Sequence, residues 1–516
     1  LYAKVLSSIL FGIECIPVTV ESDVSPGMPN FSIVGLLSTE VRESRERVRS
    51  AIRNSGIQLP ARRITVNLSP ASIRKSGTGF DLPVAISIIA ATKLVPASSL
   101  SNIMMIGEMN LNGDILPVKG ALQASSYCKD HNIPYIIVPF KNRKEASLIK
   151  GVNIIPVNTL SDVISMLRSG IKENDIYQNN EKSLSPGNNR LDFKYMKGNQ
   201  HLRRALEIAV SGMHNILLIG PPGSGKTYSA SLVPGILPPL ADNERIEISK
   251  IYSAAGLLKD GTLLNERPFR APHHSLTMRG LTGGGLVPVP GEITLSHSGV
   301  LFLDEILEFD RYVLETMRKP LEEGYIDLIK NDYHVRLPAG FMLIAASNPC
   351  PCGYYPDLKK CTCSPKDVIR YLSRLSGPLQ ERIDMFVTVN NYENSFFNDA
   401  GNGESSSDIQ KRVMKVFAIE KERFKGTDIR YNSRIPTELI EKYCPMEKEA
   451  DFLIRNDKRA KDLSIRGLLK LIRISRTIAD LSGSLTIRKK DVKEGLSFLQ
   501  NLEGFKKISL QGAGSK

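Results

Sequence analysis

Apolar positions in the middle of the chain gather into short unbroken runs, each ending in polar residues. Ile216-Leu217-Leu218-Ile219, Val300-Leu301-Phe302-Leu303 and Phe341-Met342-Leu343-Ile344-Ala345-Ala346 show no alternation with polar side chains. Runs of that length and composition predict strands buried on both faces. The segment 228–233, after the first run, can open a helix. Toward the C-terminus Ile465, Leu468, Leu469, Ile472 and Ile478 recur at helical spacing, which predicts an amphipathic helix within an all-helical region. The first part of the chain reads as short β-rich segments with an amphipathic stretch at 39–55.

Polar stretches divide these patterns. Residues 174–189 and 394–407 are rich in Asn, Ser and Gly and read as linkers. The expected organisation is an N-terminal α/β domain at 1–168, a linker at 169–191 and a core at 192–393. A second linker at 394–407, a helical lid at 408–505 and a disordered tail at 506–516 follow. A length of 516 residues suits about three domains. No apolar run is long enough to span a bilayer and no signal layout opens the chain, so no membrane partner and a cytoplasmic location are expected.

Candidate chemistry sits where the apolar runs stop. Gly220-Pro221-Pro222-Gly223-Ser224-Gly225-Lys226-Thr227 matches the phosphate-binding loop G-x-x-x-x-G-K-[ST] between a strand and a helix. Its glycines let the backbone wrap a phosphate, and the helix N-terminus aims free N–H groups at the anion. Lys226 is placed to reach the β- and γ-phosphates of ATP, and Thr227 to bind Mg²⁺. Asp304 and Glu305 end the second run. Asp304 suits the Mg²⁺ shell, and Glu305 suits activation of the attacking water. Asn348 ends the third run and could touch that water or the γ-phosphate; before Pro349 it also fits a plain strand-ending turn. Strand ends carrying Lys/Thr, Asp/Glu and Asn agree with ligand binding beyond the carboxyl edge of an open α/β sheet.

These residues, with Arg267-Pro268-Phe269-Arg270-Ala271-Pro272-His273-His274-Ser275, Gly291-Glu292-Ile293-Thr294-Leu295, Asn348-Pro349-Cys350-Pro351-Cys352-Gly353 and Leu375-Ser376-Gly377-Pro378-Leu379-Gln380-Glu381-Arg382-Ile383-Asp384, resemble the magnesium-chelatase-like AAA+ ATPases of the YifB/ComM family. The resemblance runs over nearly the whole chain. It implies an AAA+ core, a parallel sheet flanked by helices, with a C-terminal helical lid. Lys226/Thr227, Asp304/Glu305 and Asn348 then take the Walker A, Walker B and sensor 1 roles. Arg382 matches the arginine finger that reaches a neighbouring subunit's ATP, and Arg466 matches sensor 2, the lid arginine that closes on the nucleotide. An ordinary salt bridge for Arg382 and a solvated helix position for Arg466 fit the bare spacing equally. A finger acting between subunits implies a homo-oligomeric ring, a hexamer by resemblance.

Residues 107–120, from Gly107-Glu108-Met109 to Val118-Lys119-Gly120, resemble the proteolytic domain of Lon proteases and imply a ribosomal-S5-like α/β fold. The Lon serine position falls in Gly77-Thr78-Gly79-Phe80-Asp81 and the lysine position near Ala121-Leu122-Gln123. Neither holds the catalytic residue type, so a non-proteolytic relative is expected.

Four of the seven cysteines form Cys350-x-Cys352-x₈-Cys361-x-Cys363, a ligand set for a structural Zn²⁺; free thiols or a redox pair are the alternatives. The chain carries a formal charge of +14, which suits a polyanionic partner such as DNA and also plain solubility. Arg42, Arg45, Arg47, Arg49, Arg53, Arg62, Arg63, Arg74 and Lys75 crowd the first domain. Tyr325 to Leu337 reads as a hairpin around Lys330-Asn331-Asp332. In related helicases such a hairpin grips nucleic acid, which nominates Lys330 and Arg336, although a structural hairpin fits too. The expected function is an ATP-driven DNA motor of the helicase or branch-migration kind, in recombination or transformation. A chelatase subunit driving Mg²⁺ insertion and an ATP-dependent protease are the alternatives.

Overall fold

The computed structural model describes residues 1–178, 191–196, 198–258, 261–285, 287–330, 333–389 and 403–499. Most of the segments expected as linkers, and the tail expected to be disordered, lie outside the described residues.

The N-terminal unit is built on a mixed sheet of β1 (Tyr2–Phe11), β2 (Glu14–Ser25), β3 (Asn30–Val34), β4 (Arg63–Ser69), β5 (Ile103–Met105), β6 (Tyr135–Pro139) and β7 (Asn153–Val157), in the order β3-β4-β2-β1-β5-β6-β7. β1 and β2 pair antiparallel with Val5 opposite Val20 and Ile9 opposite Ile16. Helix α1 (Thr39–Asn54) buries Val41, Ser44, Val48, Ala51 and Ile52, a helical period that seats one face on the core and turns Arg42, Arg45, Arg49 and Arg53 outward. Helix α2 (Asp81–Ala91) is buried along its whole length, as its apolar sequence requires. Its first carboxylate, Asp81, is fully buried and is held by Arg47 at 2.8 and 3.1 Å and by the Met109 N–H at 3.2 Å.

The second sheet is parallel. β8 (Ile216–Ile219), β9 (Phe269–Arg270), β10 (Val300–Leu303), β11 (Met342–Ser347) and β12 (Met385–Thr388) lie in the order β9-β10-β11-β8-β12. Alternate residues serve two cores. Ile216, Leu218, Phe302, Ile344 and Ala346 face the helix Gln200–Gly212, whereas Leu217, Ile219, Leu301, Leu303, Leu343 and Ala345 face Leu314, Leu372 and Leu379. With both faces covered, apolar side chains are favoured at every position, which is why these strands read as unbroken runs.

Helix α3 (Lys226–Leu232) follows β8. The C-terminal region is helical among its described residues, with α4 (Ser406–Arg423), α5 (Ile465–Leu481) and α6 (Lys489–Ser497) the main elements. Ile409 and Val413 of α4 and Ile474 and Ile478 of α5 pack into the same core as Ile216 and Leu218. The N-terminal unit docks on the core through Leu10, Phe11 and Ile13, which meet Ile251, Ala254, Val335 and Leu337. Gln123, in the segment 121–123 near which a Lon lysine is expected, donates to the Lys250 carbonyl at 2.7 Å and accepts from the Ser253 hydroxyl at 3.1 Å. This amide joins the N-terminal unit to the core. No helix among the described residues is long and apolar enough to cross a membrane.

Candidate nucleotide-binding site

The parallel sheet brings the three polar strand ends together. β8 and β10 both flank β11, so the loop 220–227, Asp304 and Asn348 emerge at one edge. Gly223 and Gly225 adopt φ of +74° and +85°, left-handed values that glycine accepts without strain. A methyl group on Gly220 would collide with the Val389 carbonyl oxygen. Gly223 and Gly225 are therefore required by the turn itself, and Gly220 by the close approach of the Val389 backbone.

Lys226 is buried, and its ammonium donates to the Gly220 carbonyl at 2.7 Å, the Pro221 carbonyl at 2.8 Å and Asn348 Oδ1 at 3.3 Å. Burial lowers its pKa from the ordinary lysine value, and the nearby Asp304 and Glu305 charges oppose that shift. The cation is thus held over the loop by carbonyl oxygens that a phosphate could replace. The Thr227 hydroxyl donates to Asp304 Oδ2 at 2.7 Å. A hydroxyl and a carboxylate touching in this way are hard oxygen donors suited to Mg²⁺. Glu305 is exposed and sits at φ +49°, a left-handed conformation uncommon for a residue with a Cβ. That turn directly follows Asp304, whose Oδ1 accepts from the Glu305 N–H at 3.0 Å, and it keeps the Glu305 charge near the Lys226 ammonium.

Tyr371 joins this edge without having been singled out by sequence. It lies on the helix Pro365–Leu372, and its hydroxyl interacts with Ser347 and Glu308. Burial raises its pKa, with Glu308 and Glu305 adding to the effect. Arg374 donates to the Leu307 carbonyl at 2.8 Å and Glu308 at 3.0 Å, bracing the turn after Glu305. Arg270 and Glu292 form a two-pronged pair at 2.7 and 2.6 Å. Only a helical amphipathic pattern marks Tyr371 in the sequence, and nothing local marks the pairings.

Cys350, Cys352, Cys361 and Cys363 converge, with all four sulfurs within 4.8 Å of one another. This set of free thiols could hold a tetrahedral metal ion.

Arg382 and Arg466 are not brought to this edge. Arg382 precedes β12, and Asp384 bonds Asn215, which precedes β8. Both therefore sit at the amino ends of strands whose carboxyl ends carry the phosphate loop. Arg382 pairs with Glu322 and donates to the Pro378 carbonyl at 2.6 Å. Arg466 donates to Glu381 at 2.6 Å and lies 3.9 Å from Glu322. Arg466, matched to the lid arginine, thus lies beside Arg382 and away from the phosphate loop of its own chain. α5 packs across the far end of the sheet, so the two arginines share one surface. They line a cavity of about 420 Å³ with Arg434, Lys470 and Arg473.

The hairpin Tyr325–Lys330/Tyr333–Pro338 forms as expected, and the Lys330 side chain lies outside the described residues. Arg336 is exposed but not free. It bonds Asp327 at 3.0 Å and lies 3.9 Å over the Tyr325 ring, while Lys319 reaches the same carboxylate at 2.5 Å. These partners hold the Asp327 carboxyl far below its ordinary range. Part of the basic charge is likewise internal, since Arg47 pairs with Asp81 and Lys75 is buried. Arg42, Arg49, Arg53, Arg62 and Arg63 are exposed and form no ion pair among the described residues.

Residues 192–396 match the family described as magnesium chelatase, subunit ChlI; residues 20–142 match subunit ChlI of Mg-chelatase, and residues 403–499 match the C-terminal part of that subunit. The chain is 39% identical over 98% of its length to competence protein ComM of Haemophilus influenzae, covering 99% of that protein. It is 37% identical over 94% of its length to the uncharacterized protein YifB of Escherichia coli strain K12, covering 95% of it. A Lon protease of Rhizobium meliloti is 26% identical over 28% of this chain and 20% of its own length. Near-complete alignment and three family segments in order show that the chain belongs to the magnesium-chelatase-like AAA+ family of the ComM and YifB proteins.

Proposed function

We propose that this protein is an ATP-hydrolysing ring motor that acts on DNA in the cytoplasm. The observation that carries the ATPase part is the convergence of Lys226, Thr227, Asp304 and Asn348 around one glycine loop. In this reading the loop amides and Lys226 hold the β- and γ-phosphates. Thr227 and Asp304 would hold Mg²⁺, which would supply neutralisation of the charge that builds on the phosphate oxygens. Glu305 takes the proton of the attacking water, and Asn348 orients that water or the γ-phosphate. Residues 192–393 form the motor, 408–505 the lid, and 1–168 a non-proteolytic platform.

Arg382 and Arg466 stand at the far end of the sheet from their own phosphate loop, which favours action on a neighbouring subunit's ATP. A head-to-tail ring, a hexamer in this proposal, would supply that geometry. In the absence of the neighbour Glu322 and Glu381 hold the two guanidinium groups. Always-charged planar forks suit stabilisation of γ-phosphate charge in the transition state.

The DNA part rests on the +14 charge, on the exposed unpaired arginines of α1 and β4, and on the likeness to a competence protein. Lys330 and Arg336 remain the proposed pore contacts, with Arg336 leaving Asp327 on binding. The test is the ATPase rate of the purified protein with and without single-stranded and forked DNA, beside Lys226→Ala. Stimulation that the mutation abolishes and salt weakens is expected. A rate indifferent to every DNA would refute the motor. It would favour a chelatase-type subunit, the second reading that the family description supports.

A further inference from the structure

We propose that Cys350, Cys352, Cys361 and Cys363 hold one Zn²⁺ and that the loaded knuckle braces the phosphate loop, making nucleotide binding depend on the metal. The sulfur spacing carries the first half. Cys350 Sγ lies 3.3 Å from Cys352 Sγ and 3.8 Å from Cys361 Sγ, and Cys352 Sγ lies 3.6 Å from Cys361 Sγ. A tetrahedron with Zn–S bonds of about 2.3 Å has edges of about 3.8 Å. The Tyr355 N–H points to Cys350 Sγ and the Cys352 N–H to Cys363 Sγ, each at 3.4 Å. Such N–H···S contacts steady thiolate ligands around a cation. Four soft sulfurs and no harder donor select zinc over Mg²⁺.

The second half comes from what the knuckle touches. Gly353, with φ +87°, runs so close to the phosphate loop that an added Cβ would lie 2.6 Å from Pro222 Cδ. Two residues before Cys350, Asn348 accepts from Lys226 at 3.3 Å. The knuckle therefore backs Pro222 directly, and the segment leading into it meets Lys226 through Asn348. Removing the ion releases both supports while leaving the glycines and Lys226 in place. The coupling rests on the nucleotide-site reading above; the metal site does not.

The full-length protein is analysed for metal by mass spectrometry, stripped with a chelator, freed of it, and titrated with a fluorescent ATP analogue in Mg²⁺. One equivalent of zinc is expected. If only about a tenth of stripped molecules keep the loop in its binding form, the apparent Kd rises about tenfold, and added Zn²⁺ restores it. Gly353→Ala keeps all four thiolates and is expected to retain zinc while binding nucleotide more weakly. Absence of bound zinc, or iron in its place, would overturn the site. Equal nucleotide affinity for loaded and stripped protein, or wild-type affinity in Gly353→Ala, would overturn the coupling. Failure of zinc-loaded wild type to bind nucleotide would refute the ATP site and the coupling together, with the zinc content still deciding the metal site.

Discussion

Replacing Lys226 by Met should leave the ligand-free protein nearly as stable as wild type and erase its stabilisation by nucleotide. The ammonium is buried against the Gly220 and Pro221 carbonyls, and burial disfavours its charged form. Methionine keeps most of the stem's volume, and the Pro221 carbonyl is part-buried beside exposed Pro222 and Gly223, whereas the buried Gly220 carbonyl loses a partner. The expected loss without ligand is about 1 kcal/mol, because the missing partner of the buried Gly220 carbonyl is partly offset by the desolvation that the ammonium no longer suffers. With nucleotide at about 100 times Kd, linkage stabilises wild type by about 2.7 kcal/mol. That corresponds to roughly 5–10 °C in Tm at about 2–4 °C per kcal/mol. Losing two charge-assisted hydrogen bonds to phosphate removes about 3–6 kcal/mol of binding. At the same nucleotide concentration less than about 0.3 kcal/mol of stabilisation remains. Thermal melts with and without Mg-ATP read both quantities. A variant whose ligand-free melt drops well beyond the expected loss would make Lys226 a structural cation, and a retained nucleotide shift would remove it from the phosphate site.

Glu305→Gln should bind nucleotide normally and lose about 10²–10⁴ in turnover, read by comparing Kd with steady-state phosphate release. Arg382→Ala and Lys226→Ala should each be inactive alone, and mixed rings should regain activity if the arginine serves a neighbour; mixtures as dead as the parents would refute that role. Arg267 is buried and holds Glu244 at 2.9 and 3.2 Å and the Ser298 carbonyl at 2.7 Å. Arg267→Ala should cost about 3–5 kcal/mol by stranding that carboxylate, measurable by urea denaturation. His214 is buried against Thr477 at 2.8 Å, and burial pushes its pKa down to about 4 from 6.5. Its contribution is full above pH 6.5 and is lost as pH falls toward 4, because only the unfolded chain takes up the proton in that window. The loss amounts to about 3 kcal/mol, and His214→Gln should flatten the fall in melting temperature between pH 7 and pH 5.

Contiguous residues determined much of this protein. The buried strands β8, β10 and β11 follow from unbroken apolar runs, α1 from its period, and the glycine loop from a turn that only those residues can make. Each of these depends on neighbours a few positions away, so the linear order contains the physics. Contacts between distant segments belong to the tertiary structure. It set Arg466 beside Arg382 rather than Lys226, because α5 packs against the core as a whole and carries its first turn to the amino ends of the strands. It gave Arg382 the partner Glu322, 60 residues away, a pairing that no local spacing marks. It buried Val335 and Leu337 of the hairpin against Leu10, Phe11 and Ile13, turning part of an expected pore element into a domain contact. It also laid Gly353 on Pro222. A close approach of two backbones leaves only a glycine in the sequence, and many glycines need no such explanation. The sequence by itself therefore specified the elements and most of the chemistry at their ends, whereas packing alone decided which end faces which.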